Sequence, residues 1–72
     1  MAKIKVNGEE RNVNLPLSVT DLLKIEKVPQ PDMVSVEVNG EFLARNEFPT
    51  KQIAEGDEVE FLYFMGGGQT HD

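Results

Sequence analysis

The sequence predicts an α+β domain in which a mixed sheet of about five strands carries one main helix on one face. Two hairpins are indicated by alternating apolar segments that flank Asn7-Gly8 and Asn39-Gly40, because Asn-Gly suits the positive φ angles of a type I′ turn. A helix start signal at Ser18 lies between the hairpins, and a hydrophobic strand precedes Gly66.

The first hairpin is expected to turn at Asn7-Gly8, so that position 4 lies opposite position 11 and position 2 opposite position 13. This register agrees with the apolar alternation, because residues two apart share one face of a strand. The apolar face predicted in this way contains Ile4, Val6, Val13 and Leu15.

The helix is predicted to begin after Ser18, with Asp21 as the acidic partner of a capping box. Leu17 and Leu22 stand at the positions of a hydrophobic staple around this cap. An apolar stripe that can lie on the sheet is formed by Val19, Leu22 and Leu23.

The end of the helix is expected near Lys27 or Val28, because Pro29 and Pro31 cannot continue the backbone hydrogen bonds of a helix. The helix is therefore short, with two to three turns.

The second hairpin turns at Asn39-Gly40, which places Leu43 opposite Val36 and makes the outer strand short. A polar connection follows, and Phe48 and Ile53 are expected to anchor it in the core. The last strand spans residues 58–65.

The order of elements is strand, strand, helix, strand, strand, strand. A right-handed crossover through the helix is expected to put the third strand parallel to the first. The last strand is hydrophobic for longest, which favours a central position between these two. This arrangement is the β-grasp, or ubiquitin-like, fold, with a domain at residues 1–65 and a flexible glycine-rich tail at residues 66–72.

The last strand is expected to turn Val59 and Phe61, with Tyr63 beyond them, toward the helix. Leu62 and Phe64 then point to the opposite face of the sheet. Apolar side chains on an uncovered face, beside a flexible end, indicate a docking patch for a partner protein. The candidates for this patch are Leu62, Phe64, Met65 and Phe42.

Composition excludes several functional classes. The net charge of −6 argues against nucleic acid, which requires a basic surface, and favours a basic or mixed protein partner. There is no cysteine, and the only histidine is His71 in the tail, so neither thiolate catalysis nor a metal site is expected. Ser18 and Ser35 have no nearby histidine to form a nucleophilic triad. With no thiolate, metal site or triad to support one, we expect no enzymatic activity. No apolar run could span a membrane or serve as a signal peptide, so we expect a cytoplasmic protein.

The run from Val59 to the three glycines Gly66, Gly67 and Gly68 resembles the end of the small sulfur carriers of the ThiS type. The resemblance covers residues 3–68 and includes several weaker matches in the same order. These are Val6-Asn7-Gly8, Thr20-Asp21-Leu22-Leu23, Val38-Asn39-Gly40-Glu41 and residues 53–60.

The resemblance implies that a ThiF-type, ubiquitin-activating-like enzyme uses ATP to adenylate a terminal glycine carboxylate, which is then converted to a thiocarboxylate. Gly68 would carry this group, and Gly66 and Gly67 would form the thin arm that reaches the nucleotide. No cofactor is expected to stay bound. The implied acceptor is a ThiG-type thiazole synthase in the formation of thiamine thiazole.

Residues 69–72, Gln69-Thr70-His71-Asp72, depart from the family pattern because they place Gly68 in a peptide bond. We therefore expect a protease, such as a metalloprotease, to remove them. Two alternatives stay open: a carrier for another sulfur pathway, such as homocysteine or cysteine synthesis, and a ubiquitin-like interaction module without sulfur chemistry.

Overall fold

The computed structural model describes residues 1–63, which form a five-stranded sheet with one α-helix on one face. Phe64, Met65 and the glycine-rich tail predicted at residues 66–72 lie outside the described residues. The elements are β1 (Ala2–Val6), β2 (Glu9–Val13), α1 (Val19–Ile25), β3 (Val34–Val38), β4 (Glu41–Phe42) and β5 (Glu58–Tyr63), with short 3-10 turns at Pro31–Met33 and Arg45–Glu47.

Both predicted hairpins are confirmed. In the first, Ile4 lies opposite Arg11 and Ala2 opposite Val13, and in the second the Leu43 N–H donates to the Val36 carbonyl at 2.9 Å. The placement of Leu15 on the core face is wrong. β2 ends at Val13 and the Leu15 side chain is 44% exposed, because the chain bends before Pro16, which has no N–H to continue a ladder.

The helix start is confirmed in detail. The Ser18 hydroxyl accepts a hydrogen bond from the Asp21 N–H at 3.0 Å, and the Asp21 carboxylate accepts one from the Ser18 N–H at 3.4 Å. The predicted end near Lys27 or Val28 is two to three residues too late, since α1 ends at Ile25.

The helix ends in a Schellman motif. Lys27 adopts a φ of +55°, and the N–H groups of Lys27 and Val28 donate to the carbonyls of Lys24 and Leu23 at 3.1 and 3.0 Å. Glycine is the usual residue at such a positive φ. This chain has lysine there, so the sequence carries no glycine signal for the end of the helix.

The sheet has the order β2-β1-β5-β3-β4, which confirms the central position of the last strand. β5 is parallel to β1 and antiparallel to β3, so the expectation that the third strand is parallel to the first is wrong. The crossover through α1 starts from β2, which is antiparallel to β1. It therefore makes β3 parallel in direction to β2 and antiparallel to β1.

The core lies between α1 and the face of the sheet that it covers. Phe48 and Ile53 are buried, as predicted for the anchors of the long connection. The Ile53 N–H also donates to the Leu17 carbonyl at 2.8 Å, which ties this connection to the start of the helix. The largest fully buried side chains are Ile4, Val19, Leu22, Val34, Val36 and Val59.

Candidate functional site

The candidate site is the end of the central strand and the two faces beside it. β5 runs through the middle of the sheet to Tyr63. The predicted site residues Phe64, Met65, Gly66, Gly67 and Gly68 lie outside the described residues. The structure therefore establishes how the strand that leads to the glycine arm is held.

Two asparagine side chains hold β5, one from each hairpin turn. The Asn7 Oδ1 accepts a hydrogen bond from the Phe61 N–H at 2.9 Å. The Asn39 Oδ1 accepts one from the Glu58 N–H at 2.9 Å, and its Nδ2 donates to the Asp57 carboxylate at 3.0 Å. The sequence indicated both asparagines as turn residues, but their second role was missed because turn formation alone already explains an Asn-Gly pair.

The face assignment of residues 59–63 of β5 is confirmed by the register. Val59 is buried, and Phe61 is half-buried against the core opposite Val36. Tyr63 follows on the same face but is 38% exposed, and its hydroxyl donates to the Pro29 carbonyl at 3.2 Å. Tyr63 therefore lies on the helix side of the sheet, next to the segment that follows α1, and outside the core.

The uncovered side of the sheet, here called the open face, carries Leu62 and Phe42. Leu62 is half-buried opposite Ser35, whereas Phe42 is 62% exposed opposite Glu37. β3 lies between their strands, and Ser35 and Glu37 are two positions apart along it. The Cα atoms of Leu62 and Phe42 are therefore about 12 Å apart. They share one face as predicted, but they do not form a continuous apolar cluster.

Carboxylates occupy the space between these two apolar side chains. Glu37 and Glu60 lie directly opposite each other on β3 and β5, an arrangement that repels because like charges face across a strand pair. Glu58 lies two positions before Glu60 on the same face of β5, and it is opposite Lys5 of β1. The open face near the end of β5 is therefore acidic, with two apolar side chains at its borders.

A second charged group lies on the helix side, beside the first hairpin turn. Arg11 pairs with Glu9 at 2.9 Å and with Glu26, at the end of α1, at 3.4 Å. The hydrogen bond to Glu9, and then the charge of Glu26, raise the pKa of the Arg11 guanidinium. These contacts connect β2 to the helix end.

Residues 1–63 contain no cluster of three or more metal-ligating side chains. The Ser18 hydroxyl accepts a hydrogen bond in the helix cap. No helix in the described part of the chain is both long and apolar enough to cross a membrane.

The comparisons with known proteins agree with this architecture. The model of the ThiS family matches residues 4–68. A crystal structure of a thiamine biosynthesis protein, ThiS, from Geobacter metallireducens superimposes with a TM-score of 0.83 at 48% identity, covering 92% of this chain and 99% of that one.

Two thiazole synthases contain a region similar to this chain. The one from Paramagnetospirillum magneticum is 35% identical over 66 residues, and the one from Magnetococcus marinus is 33% identical over 67 residues. These matches cover 92% and 93% of this chain. The chain spans about 20% of the length of each of these relatives.

Proposed function

This chain belongs to the ThiS family, and from this membership we propose that it carries sulfur as a thiocarboxylate on Gly68 for the formation of thiamine thiazole. The observation that carries the proposal is the family match itself. It spans residues 4–68 and therefore ends on the last of the three consecutive glycines. The family membership and the similar ThiS structure support the general role of a sulfur carrier.

The proposed chemistry explains why the chain needs a partner enzyme. A carboxylate is a poor electrophile, so one Gly68 carboxylate oxygen attacks the α-phosphorus of ATP and displaces pyrophosphate. Hydrosulfide from the sulfur donor then attacks the resulting acyl adenylate and displaces AMP, and loss of a proton leaves a thiocarboxylate on Gly68. Glycine has no Cβ, so Gly66 and Gly67 provide a narrow arm that can enter the nucleotide pocket.

The activating enzyme is proposed to be of the ubiquitin-activating-like, ThiF type, and to supply the ATP site. The open face supports a contact with such a partner. Leu62 and Phe42 offer apolar contacts, and Glu37 and Glu60 between them favour a basic surface on the enzyme. Phe64 and Met65 are proposed to extend the contact toward the arm.

Removal of residues 69–72 is part of the proposal. The Gly68 carbonyl is bonded to the nitrogen of Gln69, and an amide offers no carboxylate oxygen to attack ATP. A protease, for which a metalloprotease is the proposed class, must therefore cleave after Gly68 before activation.

The proposed acceptor is a thiazole synthase of the ThiG type. Support comes from the two relatives of that name, in which a region similar to this chain forms part of a longer protein. The test supplies sulfur-labelled thiocarboxylate of the chain ending at Gly68 to a purified thiazole synthase with its other substrates. Label in the thiazole product is expected.

Two other outcomes separate the alternatives. Label that enters homocysteine or cysteine with the matching sulfhydrylase, and not thiazole, would assign the carrier to another sulfur pathway. A chain that binds the activating enzyme but never gains sulfur would be a ubiquitin-like interaction module.

A further inference from the structure

The edge of β5 that faces β1 is paired along only half of its length. β1 ends at Val6, which lies opposite Val59, and the Asn7 side chain accepts the next N–H, that of Phe61. Alternate residues of a strand present their backbone groups to the same edge. The Phe61 carbonyl and the Tyr63 N–H therefore point to this edge, where no strand lies beside them among residues 1–63.

The outer edges of the sheet differ from this internal edge. β2 carries Glu9, Glu10 and Arg11, and β4 is only two residues long. Charged side chains and short strands are the means by which proteins prevent unwanted pairing at sheet edges. Residues 61–63 of β5 are Phe, Leu and Tyr, so they lack both protections.

A groove of about 270 Å³ lies directly beside the unpaired half of the β5 edge. Its apolar lining includes Val6, Val28, Pro29 and Phe61. Its charged wall is the group formed by Glu9, Arg11 and Glu26, whose formal charges sum to −1. The Glu9 side chain is 71% exposed. The groove thus offers room for an apolar side chain and a carboxylate for a neighbouring cation.

We propose that residues 61–63 of β5 pair with an extended strand of the enzyme that activates Gly68, placing one apolar side chain in the groove and a basic side chain beside Glu9. Addition of a strand to a free edge is a common mode of protein recognition. The proposal rests on the proposed function, and it identifies a contact surface separate from the open face.

Chain length explains why the activating enzyme is the partner. Gly68 lies five positions beyond Tyr63, and a fully extended chain spans at most about 3.3–3.6 Å per residue, or roughly 17 Å in all. An enzyme that holds Gly68 at its nucleotide is therefore within reach of the β5 edge.

The test removes one backbone donor by chemical synthesis. N-methylation of Tyr63 blocks the N–H that the proposed strand accepts, and no strand among residues 1–63 accepts this N–H. The matched control is N-methylation of Asn12 on β2. Asn12 lies opposite Lys3, whose N–H and carbonyl contact Glu55 and Gly56, so the Asn12 N–H points outward.

Both modified chains are made with all 72 residues and with an end at Gly68, and their urea midpoints are expected to match that of the unmodified chain. Affinity is measured by calorimetry against the activating enzyme. Methylation of Tyr63 should weaken binding at least about tenfold, because it leaves an acceptor of the partner strand unsatisfied. Methylation of Asn12 should change affinity by less than about twofold.

The experiment distinguishes failure of the strand-pairing proposal from failure of the proposed sulfur-carrier function. Affinity within about twofold after Tyr63 methylation, on a chain that still gains sulfur, would overturn only the pairing proposal. A lowered urea midpoint for methylated Tyr63 would also overturn it, because the N–H would then serve the fold. If the unmodified chain ending at Gly68 is never adenylated, both proposals fall together.

Discussion

The Oδ1 atom of Asn7 accepts a hydrogen bond from the backbone N–H of Phe61 at 2.9 Å, across 54 positions of the chain. Asn39 makes the corresponding contact with the Glu58 N–H from the other side of the same strand. Both asparagines adopt positive φ angles, +52° and +54°. The two hairpin turns therefore hold the strand that leads to the glycine arm, in addition to reversing the chain.

Replacement of each asparagine by glycine separates the side-chain contacts from the turn conformation. In both Asn7→Gly and Asn39→Gly the introduced glycine can adopt the positive φ of the turn. The first substitution removes one side-chain hydrogen bond, and the second removes two. We expect Asn39→Gly to lower the free energy of unfolding by about 1 kcal/mol more than Asn7→Gly. Urea denaturation measures both, and equal losses would mean that the hydrogen bond between Asn39 and the Asp57 carboxylate adds no stability.

The two faces of β5 should respond differently to a charge. Phe61→Asp should unfold the domain, because it removes a core contact and leaves a carboxylate without a partner, at a cost of about 3–5 kcal/mol or more. Leu62→Asp and Phe42→Asp should preserve the fold and weaken binding to the activating enzyme. Circular dichroism and calorimetry provide the two measurements. Equal loss of structure in Leu62→Asp and Phe61→Asp would contradict the face assignment.

The end of α1 offers a stabilising substitution. Lys27 has a φ of +55° in the Schellman motif, so Lys27→Gly should raise the free energy of unfolding by about 1 kcal/mol. Lys24→Gly, within the last turn of the helix, should lower it by about 1 kcal/mol. Chemical denaturation of the two variants should therefore give midpoints on opposite sides of the unmodified chain. A lower midpoint for Lys27→Gly would argue against the left-handed conformation.

The facing carboxylates of Glu37 and Glu60 should lower the stability of the domain and speed its association with the activating enzyme. Glu37→Gln removes a like-charge contact across β3 and β5, and we expect a gain of about 0.2–1 kcal/mol in stability at low salt. The same change should slow association with a basic activating enzyme.

Glu47→Gln is the matched control for this pair, since it also removes one negative charge but lies in the Arg45–Glu47 turn. Stopped-flow association at two salt concentrations compares the variants. An association rate for Glu37→Gln that equals that of Glu47→Gln would exclude the open face from electrostatic recognition.

Local signals in the sequence were sufficient for most of the fold. The Asn-Gly pairs at residues 7 and 39 and the capping box at Ser18 each depend on neighbouring residues, and all three are confirmed. The direction of β3 was mispredicted because it depends on which strand begins the crossover. Leu15 was misplaced because alternation alone does not show where a strand ends.

The candidate site was less accessible to sequence reasoning than the fold. The face of Leu62 followed from alternation, but its distance from Phe42 depends on β3 lying between their strands. The unpaired half of the β5 edge also depends on β1 ending at Val6 while β5 continues to Tyr63. Such relationships between distant segments leave no local pattern. The role of Gly68 came from the resemblance to ThiS-type carriers and remains a prediction.

The most direct test of the carrier role is mass spectrometry of three chains, ending at Gly67, Gly68 and Asp72, after incubation with the activating enzyme, ATP and a sulfur donor. We predict that only the chain ending at Gly68 gains the mass difference between sulfur and oxygen, at its terminal carboxylate. The chain ending at Asp72 should gain it only after a protease has removed residues 69–72. A thiocarboxylate on the uncleaved chain, or equal conversion of the chain ending at Gly67, would contradict the assignment of Gly68.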